Sequence, residues 1–198
     1  MNYLAHAYLS FNRAEILTGN MISDFVKGKK KFDFNIGIQK GIALHRAIDE
    51  FTDFHPVTHE AKTYFRKDYR LYAGAFVDVV YDHFLATDIN EFPNEIALQS
   101  FCQSTYRSLQ NNSEGLPVKF LQIFPYMQQH NWLFHYSYKE GIEKSFGGLV
   151  RRAAYLSESA IAYQLFERHY DELGECYRLF FPELKKFALH RLCELNNT

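Results

Sequence analysis

Apolar residues recur at three- and four-residue intervals along nearly the whole chain, and strict apolar–polar alternation is almost absent. The first spacing stacks side chains on one face of an α-helix, whereas a half-buried strand needs the second. Five prolines and ten glycines in 198 residues leave few interruptions, and they read as falling between the periodic segments. The pattern predicts helices over roughly 2–10, 13–27, 35–54, 57–66, 70–87, 92–111, 116–130, 138–169 and 171–194. His55 precedes Pro56 and is driven out of the helical region, so the third helix should end near Phe54. Asn111–Gly115 reads as a loop, and Gly147-Gly148 as a break or kink in a long helix. No repeat, linker or low-complexity tract divides the chain. The expectation is a single all-α domain over residues 1–198, built as a helical bundle.

Composition excludes several classes. A formal net charge of −1 argues against a nucleic-acid binder that relies on bulk positive potential. Cys102, Cys176 and Cys193 are odd in number and far apart, the pattern of reduced thiols in a cytoplasmic protein. The apolar start lacks a basic leader region and a small-residue cleavage site. No run approaches the ~20 apolar residues of a membrane span. The motifs of P-loop enzymes, serine hydrolases, zincins and thioredoxins are missing.

Two helix-spaced clusters of histidine and aspartate remain. His45, Asp49 and Asp53 lie four residues apart, each about 40° round the helix from the last. They form a stripe beside an apolar arc of Leu44, Ala47, Ile48, Phe51 and Phe54. Oxygen and nitrogen donors so stacked can bind a hard or borderline divalent metal; they can equally be a solvated face of His–Asp pairs. In the second cluster, Asp78, Asp82 and His83 sit on a helix whose apolar residues, from Leu71 to Leu85, surround it almost completely. Such a helix is buried. A carboxylate there costs several kcal/mol unless it is paired, hydrogen-bonded to a helix end or metal-bound. Upstream, His6 stands among apolar neighbours, and Asp24 follows the Gly19-Asn20 turn. Either alone reads as well as a structural residue. Arg46 is placed to grip a phosphate with two donors. Lys27, Lys29, Lys30 and Lys31, and again Arg66, Lys67 and Arg70, form basic clusters that suit an acidic partner.

Taken together, Met1-Asn-Tyr-Leu-Ala-His6, Gly19-Asn20, Asp24-Phe-Val-Lys-Gly28, the Gly41–Pro56 string with His45-Arg46, Asp49, Thr52-Asp53 and His55, and Asp78 with Tyr81-Asp82-His83 resemble the acyl carrier protein phosphodiesterase family. The likeness is dense over residues 1–86 and looser beyond, through Trp132, Tyr138, Gly141-Ile142 and Arg151-Arg152. It implies an all-helical relative of the HD-type metal-dependent phosphohydrolases, although the adjacent pair here reads Asp82-His83 rather than His-Asp. It also implies hydrolysis of the phosphodiester joining 4′-phosphopantetheine to a serine of holo-acyl carrier protein, with manganese as the metal.

Under that resemblance Asp24, His45, Asp49, Asp82 and His6 are the expected metal ligands. Arg46 and Lys27 would neutralise the phosphate, Asp78 or Asp53 would orient water or a ligand, and His55 or His83 would donate a proton to the leaving group. Lys27–Lys31 and Arg66–Arg70 would dock the acidic carrier protein. Trp132, Phe134 and Tyr138 read either as contacts for the pantetheine arm or as core. The competing readings are an HD-like phosphohydrolase of a nucleotide or other small phosphoester, and a helical scaffold whose His–Asp stripes are structural.

Overall fold

The computed structural model describes residues 1–153 and 155–197. It is 81% helical with no strand among the described residues. The α-helices are α1 (Tyr3–Tyr8), α2 (Ala14–Ile22), α3 (Ile36–Phe54), α4 (Pro56–Tyr69), α5 (Ala73–Thr87) and α6 (Glu95–Asn111). They continue with α7 (Val118–Gln129), α8 (Trp132–His135), α9 (Lys139–Arg152), α10 (Ala160–Arg168) and α11 (Tyr170–Asn197). Short 3₁₀ turns cover Ser23–Phe25, Gly28–Asp33 and Arg70–Tyr72. No described helix is long and apolar enough to cross a membrane.

Local chemistry sets many of the boundaries. The side chains of Asn35 and Asn94 accept the N–H groups of Ile38 and Ala97, capping α3 and α6, as short polar residues do at helix starts. His55 leaves the helical region as expected, at ψ 130°, and Pro56 opens α4 at a position where its missing N–H has no cost.

Three expectations need correction. The 138–169 helix is two helices, and Gly147-Gly148 lie within α9 rather than breaking it. The division falls after Arg152 because α9 packs on α5 while α10 packs on α4, and one straight rod cannot serve both. The Tyr69 hydroxyl marks the second start: it accepts from Ala162 N at 2.8 Å and donates to the Glu158 carbonyl at 3.3 Å. Pro125 and Pro182 lie inside α7 and α11, not between helices. Leu71 belongs to the 3₁₀ turn and is 99% exposed. The buried helix around it begins only at Ala73.

From there α5 behaves as its all-round apolar pattern demands. Phe76, Val77, Val79, Val80, Tyr81 and Leu85 are buried, with α1, α4, α9 and α11 packed about them. The tightest pairing in the molecule joins α2 to α3. A Cβ on Gly19 would stand 2.1 Å from the Ile38 carbonyl oxygen, and one on Gly41 would stand 2.4 Å from that of Ile16. Only glycine lets the two backbones approach this closely. The approach carries Asn20 of α2 to His45 of α3.

Candidate active site

His6 of α1, His45 and Asp49 of α3 converge so that one donor atom from each lies within 4.8 Å of the others. The two imidazoles stack with centroids 3.9 Å apart and planes 16° off parallel. His6 Nε2 is 3.1 Å from Asp49 Oδ1, and His45 Nε2 is 3.0 Å from Asp49 Oδ2. Asp24, on the turn after α2, brings Oδ1 to 3.2 Å from His45 Nε2. The histidines are almost fully buried, while the Asp24 side chain is 71% exposed. The cluster therefore has a closed floor and one open edge.

Asn20 determines which nitrogens face the cluster. Its amide N–H groups donate to the His6 carbonyl at 2.9 Å and to Ser10 Oγ at 3.1 Å. Its Oδ1 is thereby free to accept from His6 Nδ1 at 2.8 Å. The Asn20 backbone carbonyl, which can only accept, lies 2.8 Å from His45 Nδ1. Both rings thus donate from Nδ1 to Asn20 and turn Nε2 to Asp49, the orientation that outer hydrogen bonds impose on metal-binding histidines. Nε2 of His6 has no hydrogen-bond partner although it is buried. His6 thus turns a lone pair, and His45 an N–H, toward one carboxylate, a donor set in which a divalent cation would displace the His45 proton.

The titration behaviour follows from this crowding. Burial lowers the His6 pKa to about 4, and the charge of His45 pushes the same way. Burial also works against the charged form of His45, but hydrogen bonds to Asp24 and Asp49 outweigh it and raise the pKa to about 9. Burial alone would raise Asp49; the two histidines hold it well below the usual carboxylate range. The His45 hydrogen bond likewise lowers Asp24. The Met1 ammonium, 3.3 Å from Asp49 and 3.1 Å from Asp78, would be lowered by burial, yet those two carboxylates lift it to about 10. A nitrogen–oxygen donor set of this kind fits a hard or borderline divalent ion.

The remaining sequence candidates lie elsewhere. Asp82 is fully buried, and its carboxylate accepts from Leu4 N at 2.7 Å and Ala5 N at 3.2 Å. It caps the start of α1 and has no oxygen left over for the cluster. The alternative of a helix-end hydrogen bond is the one the fold adopts. His83 is also buried, with Nδ1 on the Tyr136 carbonyl at 2.7 Å and Nε2 on the Tyr170 hydroxyl at 2.9 Å. His55 faces Glu183 at 3.2 Å and packs on Phe180, so neither histidine is placed to protonate a leaving group at the cluster. Asp53, exposed, pairs with Lys62 at 2.7 Å. Phe54 is 75% exposed rather than part of the buried arc. Asp78 stays beside the cluster through Met1. Arg46 donates to the Val26 carbonyl at 3.0 Å and so ties down the loop that bears Asp24.

Lys27, Lys29 and Lys30 are exposed and Lys31 half-buried, with Lys27 at the start of the Gly28–Asp33 turn and the other three on it, shortly after Asp24. Arg66 and Arg70 are exposed too, but line a separate 450 Å³ hollow with Asp53, Lys62 and Leu71. Asn20 was not among the sequence candidates. Its signal was present: an amide among Ile16, Leu17, Met21 and Ile22 must be buried, and a buried amide must be bonded.

Residues 1–184 match the family model described as acyl carrier protein phosphodiesterase. The chain belongs to the acyl carrier protein phosphodiesterase family. A Yersinia pestis protein named acyl carrier protein phosphodiesterase is 31% identical over 191 residues, 96% of this chain and 99% of that one. One from Photorhabdus laumondii is 29% identical over 188 residues, covering 95% of each. An Escherichia coli protein of the same name is 29% identical over 191 residues, 96% of this chain and 99% of its own length. No solved structure matches. Every member of the cluster falls inside the matched span, as do the capping Asp82 and the lysine run.

Proposed function

We propose that this chain hydrolyses the phosphodiester between 4′-phosphopantetheine and the serine of holo-acyl carrier protein, releasing apo-carrier protein and 4′-phosphopantetheine, with manganese held by His6, His45, Asp49 and Asp24. The supporting observation is the pair of stacked imidazoles. Each has Nδ1 committed to an oxygen of Asn20 and Nε2 turned to the same carboxylate.

When bound, a divalent ion supplies Lewis acidity and lowers the pKa of a water to give a nucleophile at neutral pH. The chain's own groups do the rest. Asn20 holds both rings in the ligating orientation. Asp24 would hold the ion at the exposed edge, where the phosphodiester enters, and Arg46 anchors its loop while keeping guanidinium donors for the non-bridging oxygens. The lysines that follow Asp24 present positive charge where an acidic carrier protein would dock. Asp78 and Asp82 act at one remove. Asp78 holds the ammonium beside Asp49, and Asp82 fixes the helix that bears His6.

Mass spectrometry of holo-acyl carrier protein incubated with the chain and manganese tests the reading. Loss of the phosphopantetheine mass, prevented by chelator and by Asp49→Asn or His45→Ala, is the expected result. An intact holo-carrier would refute the reaction, and cleavage that survives both chelator and Asp49→Asn would refute the site.

A further inference from the structure

A cavity lies beside the cluster, not on it. It encloses 580 Å³ between the start of α1, the turn around α8 and one face of α9, a volume within the usual ~300–1,000 Å³ of small-ligand sites. Tyr3, which lines it, is three residues before His6 on α1. The two therefore share a helix stripe about 4.5 Å apart along the axis. The Tyr3 hydroxyl is pushed up to about 12, by burial first, with Arg152 opposing the rise and Asp24 adding to it. Tyr3 thus feels the open edge of the cluster and the cavity together.

The lining is mixed in a particular way. Rings of Tyr3, Trp132 and Tyr136 alternate with amide and hydroxyl groups of Asn2, Asn131 and Ser145. The Asn131 side-chain oxygen is buried without a partner, an acceptor in want of an N–H. Lys144, Arg151 and Arg152 contribute positive charge, and among the described residues none that is acidic lines the space. A flexible chain of methylenes and secondary amides, tethered to a phosphate, matches such walls: methylenes on rings, amide N–H on Asn131, phosphate toward the cations and the cluster.

We infer that this cavity receives the pantetheine arm of the substrate, with Trp132 against the chain and Tyr3 at the junction with the phosphodiester. The inference rests on the reading of the cluster as a phosphopantetheine hydrolase site, and it names where the part of the substrate beyond the phosphate goes. Of the three aromatic residues considered from sequence for this contact, only Trp132 lines the space; Phe134 is buried, and Tyr138 donates to Glu95.

Trp132 is the chain's single tryptophan, so its emission reports the cavity without any catalytic step. Pantetheine, which lacks the phosphate, is titrated into the chain in the presence of chelator. Gly148 also lines the cavity, and a Cβ there meets only Arg151 Nη2, at 3.7 Å. Gly148→Phe therefore fills the space from a helix that tolerates it, and Ser145→Leu is a second filling variant. The expected result is a saturable change in Trp132 emission that Gly148→Phe or Ser145→Leu weakens roughly tenfold or more. Thermal midpoints should stay near that of the parent chain, and the KM for holo-carrier protein should rise more than kcat falls. No saturable change, or one that folded filling variants leave undiminished, would overturn the assignment. Pantetheine binding without carrier cleavage would instead refute the reaction and leave the cavity's ligand standing. Cleavage without pantetheine binding would do the reverse.

Discussion

Removing the Asp82 carboxylate separates a structural role from a ligand role. Its two oxygens satisfy the N–H groups of Leu4 and Ala5, both buried. Each stranded buried donor costs roughly 1–3 kcal/mol, so Asp82→Ala should lose about 2–6 kcal/mol, a large part of a domain's ~5–15 kcal/mol. Asp82→Asn keeps one acceptor and should lose less. A second signature comes from pH. Burial raises Asp82 from 3.8 to about 7 despite its two backbone hydrogen bonds. A carboxyl with a folded-state pKa above its unfolded value binds more protons when folded. Its contribution is therefore fully present at low pH and is lost as pH rises from about 4 to about 7. The loss amounts to roughly 4 kcal/mol. Asp82→Asn has no such titration, so the parent chain should lose stability relative to this variant by roughly 3–4 kcal/mol between about pH 4 and about pH 8. Urea unfolding followed by circular dichroism, with chelator present, measures both effects. A stability difference independent of pH would refute the titration argument. Lost manganese binding at unchanged stability would restore Asp82 as a ligand.

Further outcomes follow from the same geometry. Asn20→Leu strips the acceptor from His6 Nδ1 and should weaken manganese affinity or turnover by roughly 10–100-fold, read by calorimetry and by kcat. Gly41→Ala forces a Cβ against the Ile16 carbonyl and should cost about 1–3 kcal/mol, seen as a lowered thermal midpoint. Asp53→Asn breaks only the exposed Lys62 pair; it should change stability by less than about 1 kcal/mol, and manganese titration should match the parent. Reversing Lys29, Lys30 and Lys31 to Glu should raise the KM for the carrier protein. It should also flatten the dependence of KM on ionic strength, which kinetics at two salt concentrations would show.

Much of this arrangement was legible in one dimension. The periodic stretch predicted over 35–54 matches Ile36–Phe54 nearly to the residue, because His55 before Pro56 ends it chemically. The donors His45 and Asp49 stood out because four-residue spacing needs nothing beyond the helix to bring them together. The 138–169 segment was misread for the opposite reason. Its hydrophobic period runs on through the break, and only the separate partners of α9 and α10 reveal where it lies. Glycine pairs in sequence suggested a kink, yet α9 absorbs them at a cost of about 1 kcal/mol each.

Helix content, the buried character of α5 and the identity of the histidine and carboxylate donors were set by the order of residues, since each depends on neighbours within a turn or two. Which donors share a cluster was decided by folding. His6, Asp24 and His45 come from three successive segments, and the close α2–α3 approach at Gly19 and Gly41 brings Asn20 and His45 together. Asp82 and Asp49 look alike as acidic residues on helix stripes. One meets two backbone N–H groups and the other meets two imidazoles, because burial leaves each carboxylate only the partners that packing delivers.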